Sequence, residues 1–486
     1  MTTRRATVVG SGPNGLSAAV ALARAGFDVT VVEAHDTIGG GTRTAELTLP
    51  GFRHDVCSAV HPGAFTSPFF RAFGMREKVG WVVPDASYAQ PLDGGRAAIA
   101  WRDIGRTADA LGTDGRAWKA MLRPLSRRID GVVDFTGHQM VRVPRHPVTA
   151  VRYGLRALEL GSDLGRRSFR TEEAHALITG VIAHASTVLP SLGAAAAGLL
   201  LAAQAHADGW GLPVGGAQAI PDALADDLRA HGGVIETGRR IDDLTALDWG
   251  DAARGDVLVL DAPPRLALTL PDVPDRWARA IRRFRYGPGA AKVDFALDGP
   301  VPWENADVRR SPTVHVGGTR AEVEASENAV ARGEVTERPY VLASQPSVLD
   351  PTRAPEGKSV LWSYIHVPAG STLDATELVT RQIERFAPGF RDRILASHAA
   401  SAADLESYNP SAVGGDFASG AVTFAQLLAR PVLTPDPWRT PIPGVYLASA
   451  STPPGPGVHG TAGWLAARLA IADSTGERVG LDDLFG

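Results

Sequence analysis

Cysteine is all but missing from this chain: Cys57 stands alone among 486 residues. A single thiol excludes an intrachain disulfide and any cysteine-rich metal site, and it fits a reducing compartment such as the cytoplasm. No bound metal is expected. Lysine is nearly as scarce, at Lys78, Lys119, Lys292 and Lys358, so the basic side chains are almost all arginine. The formal net charge of −4 gives no electrostatic reason to expect nucleic acid as a partner. Long apolar runs are missing too. The longest, Leu192 to Ala203, is too short and too alanine-rich to cross a bilayer. Only a short strand and a glycine loop follow Arg4 and Arg5, with no apolar h-region, which argues against a secretory or twin-arginine signal. Neither an internal repeat nor a low-complexity linker is visible. The length suffices for two or three domains around at least one large core.

What is present begins at once. Ala6–Gly10 is a short apolar, β-branched run, as a buried parallel strand requires. Gly10-Ser-Gly12-Pro13-Asn14-Gly15 follows, then a helical pattern with Leu16, Ala19, Val20 and Ala23 on one face. Gly26 stops that helix, and Asp28–Val32 is a second strand ending at Glu33. Each part has a task in dinucleotide binding. Gly10 permits a tight turn, Gly12 lets the backbone approach a pyrophosphate, and Gly15 lets helix and strand pack closely. The helix N-terminus offers N–H groups and a positive dipole end to the phosphates. Glu33 can accept hydrogen bonds from the ribose hydroxyls and would repel a 2′-phosphate. A lone GxGxxG is weak in a chain with 53 glycines. Strand, loop, helix, strand and terminal acid in order are a specific signature.

The next segment separates FAD from NAD. Glu33 to Thr44, with Gly39, Gly40, Gly41, Thr42 and Arg43, resembles the acid, glycine-doublet, arginine pattern of the amine oxidase and phytoene desaturase flavoproteins. In that pattern the glycines admit a close backbone approach and the Arg43 position neutralises pyrophosphate charge. Gly215–Gly233 is a glycine turn and an amphipathic helix, followed by the strand Val234–Thr237 and by Arg240–Leu244. In these families the position of Ile241 reads the adenine through its backbone. Asp256–Pro264, with Ala262, looks like the strand and loop that return to the nucleotide domain. At the far end Gly444–Ser449 is a strand, Ala450–Gly457 a glycine and proline loop, and Val458–Arg468 opens a helix. Such a helix start can aim N–H groups at the flavin pyrimidine, where negative charge gathers on reduction.

Taken whole, the chain resembles the phytoene desaturase-like FAD-dependent oxidoreductases, and among them bacterial relatives of the pyridine-nucleotide-disulphide oxidoreductase domain proteins. The stretches that carry this are Phe52–Pro62, Tyr286–Trp303, Val314–Thr319, Arg385–Phe390 and Ser451–Gly460. It spans nearly the whole chain except about residues 85–190. One departure is Pro456, where a glycine is usual, which removes an N–H from the flavin-side loop. The resemblance implies an α/β fold: a Rossmann-like FAD-binding domain of the glutathione reductase and amine oxidase type, with an interleaved α+β substrate domain and helical cap. The FAD domain is expected to be discontinuous, at 1–85, 210–270 and 435–486, with 86–209 and 271–434 building the substrate domain. FAD is expected to be held non-covalently. Its implied contacts are Gly10, Gly12, Pro13, Asn14, Gly15, Glu33, Ala34, Gly40, Gly41, Thr42, Arg43, Val60, His61, Ile241, Ala262, Ser449, Gly457, Val458, His459 and Thr461.

Flavin chemistry needs a C–H bond held over N5, and the cofactor itself accepts the hydride. The protein need only supply a base for the second proton. His61, His315, His366 and His459 are candidates; His459 at the helix start and His61 beside the ring are the two placed in the catalytic set, each with a structural hydrogen-bonding role as its alternative. No second GxGxxG unit follows a strand, so no separate NAD(P)H domain is expected. Electrons would then leave to oxygen, a quinone or another acceptor, or the reaction would be redox-neutral. The leading reading is an enzyme that dehydrogenates or isomerises a largely apolar, carotenoid-, terpenoid- or lipid-like small molecule. An oxidase of amines or amino-acid-derived metabolites on the same fold is the second, and a flavin-binding interaction protein the third. Val148, Val151, Leu155 and Leu158 recur at helical spacing beside Arg145, Arg152, Arg156, Arg166 and Arg167. That pattern fits either a cap helix with solvent-facing arginines or a basic amphipathic helix peripheral to the inner face of a membrane.

Overall fold

Arg5–Val9 is buried after its first residue and pairs in parallel with Asp28–Val32 on one side and Val257–Leu260 on the other. This is the centre of a five-stranded sheet in a computed structural model that describes residues 4–486. Val445–Leu447 and Val234–Glu236 complete the edges, and every pairing is parallel. Parallel strands are covered on both faces, which explains their near-continuous Val and Leu content. The helix Pro13–Arg24 packs between Ala219–Ala230 and the C-terminal helix Thr461–Thr475. Its contact with the latter is very close: a Cβ on Gly463 would lie 1.9 Å from the Asn14 carbonyl oxygen, so only glycine fits.

A second sheet has seven strands, in the order Ile394–Ala400, Gly289–Leu297, Ser359–Val367, Val341–Ser344, Thr313–Val316, Ala86–Leu92 and Arg96–Trp101. It is mixed: Thr313–Val316 pairs in parallel with Ala86–Leu92, and the other pairs are antiparallel. One face packs on a helical layer that includes Gly115–Ser126, Pro147–Leu160, Glu172–Ile182 and Leu192–Ala207. The alanine-rich run sits in the middle of that layer, touching the three other helices. Its small side chains are what let the helices close around it. Among the described residues no helix is long and apolar enough to cross a membrane.

The helix Pro147–Leu160 is turned the other way from a helix that hides its apolar stripe. Thr149, Ala150, Tyr153, Ala157 and Leu160 face inward, and Tyr153 Oη donates to the Ala196 carbonyl. Val148, Val151, Leu155 and Leu158 point to solvent at 68%, 63%, 61% and 54% exposure. Both sides of the helix are apolar, and the smaller one matches the alanine-rich neighbour.

Three distant chain segments meet at Arg353, which is fully buried. Its Nη1 donates to Asp55 Oδ2 at 2.9 Å, its Nε to Asp350 Oδ2 at 3.0 Å and its Nη2 to the Pro213 carbonyl at 3.4 Å. Asp55 Oδ1 accepts from Ala217 N and Thr44 Oγ1, both at 2.8 Å, and Asp350 Oδ2 from Gly215 N at 2.7 Å. Removing the cation would strand two buried carboxylates, at a cost of about 3–5 kcal/mol. The R353M variant should therefore unfold at markedly lower denaturant or temperature; a loss under about 1 kcal/mol would show that the cluster does not hold the segments together.

Candidate cofactor and substrate site

Between the sheets lies one continuous cavity of 1170 Å³. That exceeds the roughly 300–1,000 Å³ of a single-ligand pocket, so it has room for a dinucleotide and a substrate. Every candidate cofactor residue read from the sequence lines it except Gly15. Gly15 packs behind the loop instead, where its N–H donates to Asp261 Oδ2 at 2.8 Å. Gly10 and Gly12 are also pressed on Asp261: Cβ atoms there would lie 2.4 Å from its carbonyl oxygen and 2.6 Å from Oδ2. Asp261 ends the strand Val257–Leu260 and went unnoticed in the sequence, because it meets the loop across 246 residues.

Glu33 is buried and well supplied with donors: Ser11 N at 3.0 Å, His35 N at 2.8 Å, the Ser11 hydroxyl and Arg43 Nη2 at 3.1 Å. Arg43 gives its remaining N–H groups to the carbonyls of Thr37 and Gly40, and its guanidinium lies 5.3 Å from the Tyr408 ring. Arg43, expected at the pyrophosphate, thus lines the cavity while ion-paired with Glu33. A buried carboxylate needs a cation close by, and Glu33 takes this one.

At the other end of the cavity the segment after Cys57 meets the C-terminal loop. Ser67 Oγ donates to the His459 carbonyl, which ties the two together. His459 Nδ1 accepts from Thr461 N at 3.1 Å and so caps the helix Thr461–Thr475, while Nε2 has no protein partner. His61 is pinned by its backbone to Gly211 at 3.0 Å, and neither ring nitrogen finds a partner. Burial pulls both imidazoles down to about 4, so both are neutral near pH 7, and with Nδ1 accepting, the ring hydrogen of His459 sits on Nε2. Of the other histidines considered, His315 is buried behind the cavity wall and His366 is paired with Glu327.

Two further cations line this end. Lys292, on Gly289–Leu297, is buried, ion-paired with Asp294 and 5.8 Å from the Trp362 ring centre. His54 and His398 stand 3.6 and 4.0 Å from the Asp294 carboxylate, whose pKa burial pushes up to about 6. The signal available in sequence was a rare lysine two residues from an aspartate inside an apolar strand. Arg430 is fully buried and donates to the carbonyls of Ala418, Gly420 and Ala450, fixing the wall beside the Ser451–Gly457 loop. No local pattern announced it.

Much of the remaining wall is apolar, with Gln204, Thr313, Ser344 and His184 among its polar members. Tyr153, Ala157, Leu158, Ala196, Leu200 and Leu201 come from the helical layer, and Leu342, Trp362 and Tyr364 from the mixed sheet. The cavity's only carboxylates, Glu33, Asp242 and Asp261, all belong to the nucleotide segments.

Residues 14–471 match the family of flavin containing amine oxidoreductases, and the chain belongs to that family. It is 24% identical to pyridine nucleotide-disulfide oxidoreductase domain-containing protein 2 of Rattus norvegicus, across 96% of this chain and 93% of the rat protein. To a phytoene dehydrogenase of Streptomyces griseus it is 26% identical, over 80% of this chain and 77% of that one. Among solved structures, a triple mutant of putrescine oxidase superposes with a TM-score of 0.60 at 16% identity, covering 96% of this chain and 98% of that one. Cyclohexylamine oxidase from Brevibacterium oxydans IH-35A gives 0.57 at 16%, covering 97% and 98%. At such identities the structural likeness is one of fold.

The protein is an FAD-dependent oxidoreductase with an FAD domain of the amine oxidase type. The residues present fit the cofactor: a glycine loop at a helix start, a buried acid after the second strand, and unpartnered imidazole nitrogens at the opposite end. Asp261 is the one discordant group, because its carboxyl stands on the helix amides that a pyrophosphate would approach. Burial first, and the Glu33 charge second, push it up to about 7, against the Gly15 hydrogen bond. A diphosphate alongside would disfavour the anion further. FAD affinity should therefore be flat in acid and fall as pH rises through about 7, by up to about tenfold per unit. In D261N the Kd measured by flavin fluorescence quenching should lose that dependence; an unchanged profile would sink the assignment.

Proposed function

We propose that this enzyme dehydrogenates a largely apolar, carotenoid-, terpenoid- or lipid-like substrate. The observation that carries the reading is the distribution of charge in the cavity: beyond the nucleotide segments no carboxylate is present to hold an ammonium group. FAD, held non-covalently, supplies the hydride acceptor at N5. The apolar walls fix the substrate and exclude water, and His61, neutral and with neither ring nitrogen partnered, takes the proton lost from the adjacent carbon. The electrons then leave to oxygen or a quinone. On this reading the FAD unit is the set 1–85, 210–270 and 435–486, and the chamber is built by 86–209 and 271–434.

The competing amine reading has in its favour the family match and the fold shared with two amine oxidases. Anaerobic mixing separates the two: a panel of polyenes, terpenoids and long-chain lipids should bleach the flavin absorbance, and a panel of mono- and diamines should leave it unchanged. Bleaching by amines alone would overturn the proposal.

A lipid surface is the source such a substrate calls for, and the face for it is the outward side of Pro147–Leu160. Val141, Val143 and Leu164 extend its exposed quartet, and Arg145, Arg152 and Arg167 beside it carry no ion pair among the described residues. Leu158 and Phe424 are both exposed and cavity-lining, so the chamber opens within this patch. Apolar insertion with flanking arginines suits an anionic bilayer, at about 1 kcal/mol for each basic residue near the surface. The protein should co-sediment with vesicles containing phosphatidylserine and much less with pure phosphatidylcholine. V151D/L155D should weaken that binding at least about tenfold with FAD content unchanged. If the substitutions alter only self-association, the face joins two copies instead.

A further inference from the structure

The chamber wall holds one polar device that the reaction above does not use. His184 follows the helix Glu172–Ile182, lines the cavity and is half-buried there. Its Nε2 lies 2.7 Å from Nε2 of His315, which is fully buried on Thr313–Val316. Around the pair stand Tyr88, Trp210 and Tyr340, with ring centres 4.9 to 6.4 Å apart, and no carboxylate, lysine or arginine pairs with either imidazole. The nearest ionisable pair, His366 with Glu327, is a layer away behind Tyr340. Burial keeps both His184 and His315 neutral.

Two neutral imidazoles that share a hydrogen bond must be in opposite states at the shared atoms: one gives an N–H and the other a lone pair. The far side of His315 decides which. Gln90 Nε2 donates to the Gly318 carbonyl at 2.7 Å, which fixes the amide and leaves Gln90 Oε1 as an acceptor without a partner. His315 Nδ1 is also unpartnered, and both atoms converge on Gly180, where a Cβ would lie 2.1 Å from Oε1 and 2.9 Å from Nδ1. Of the two tautomers, only the one with the hydrogen on Nδ1 turns a donor to the side where Oε1 lacks one, which assigns the hydrogen to Nδ1. His315 Nε2 is then the acceptor, and His184 Nε2 the donor. His184 Nδ1, which bonds nothing in the protein, is left with its lone pair open to the chamber.

We infer that His184, set by His315 and Gln90, is a recognition site for a hydroxyl group, so that the preferred ligand is an apolar alcohol and not a pure hydrocarbon. This rests on the apolar-substrate reading and narrows it. An acceptor that a bound ligand shuts off from water without giving it a donor is costly, so a ligand carrying an O–H should gain about tenfold over one that merely fills the space.

The test uses the FAD-loaded protein and three probes that share one polyprenyl chain: geranylgeraniol, its methyl ether and the parent hydrocarbon, with Kd read from the perturbation of flavin absorbance. The alcohol should bind about tenfold tighter than the ether and the hydrocarbon. H184F should abolish the difference, and H184Q, which keeps an acceptor, should retain part of it. Equal binding of all three probes, or a preference for the ether, overturns the inference and leaves the apolar reading standing. Binding of none overturns both. FAD content reports folding, and should H184F fail to load FAD, the comparison of alcohol with ether in the unaltered protein still decides.

Discussion

Burying the guanidinium of Arg353 between two carboxylates is the constraint on which the architecture rests. The chain leaves the nucleotide sheet and returns to it, and those passes have to be held against the mixed sheet without a continuous apolar seam. Asp55, Pro213 and Asp350 bring three separate segments to one cation, and the backbone N–H groups of Gly215 and Ala217 complete the set. Such a cluster is a poor source of net stability, since desolvation offsets most of the attraction. Its geometry is demanding, however, and that fixes how Thr44 and Asp55 sit relative to the glycine turn at Gly215, and hence the wall of the cavity they share.

The cavity is graded in polarity along its length. At one end are helix amides, Glu33 and Arg43, which suit a charged dinucleotide, and the discordant Asp261; at the other are alanine, leucine and aromatic walls. Lys292, His61 and His459 mark the boundary between the two. Burial keeps the histidines neutral, so they present no standing charge to an apolar molecule. The same burial makes Asp261 sensitive near neutrality, which couples the nucleotide end to pH while leaving the chamber indifferent to it.

Much of this was legible before any coordinates. The strand, glycine loop, helix, strand and Glu33 form a local unit, because a phosphate is held by backbone within a few residues and spacing alone carries the information. The apolar period of Pro147–Leu160 was equally visible, yet it could not say which side faces out. Both sides are apolar, and the choice fell to a fit of small residues against Leu192–Ala207. Arg43 could be seen to matter, but its partner could not be chosen, since both a phosphate and Glu33 lay within reach of the same motif.

What the sequence determined by itself is the cofactor class and the framework that carries it, because those depend on backbone geometry written into contiguous glycines, strands and caps. What only the tertiary structure decided is which polar side chains share the cavity. Asp261 meets the glycine loop across 246 residues, His184 meets His315 across 131, and Arg353 meets Asp55 across 298. Pairings at such separations leave no trace in local pattern. They follow from how two sheets and a helical layer close on one another, and burial then sets the charge of every group caught between them.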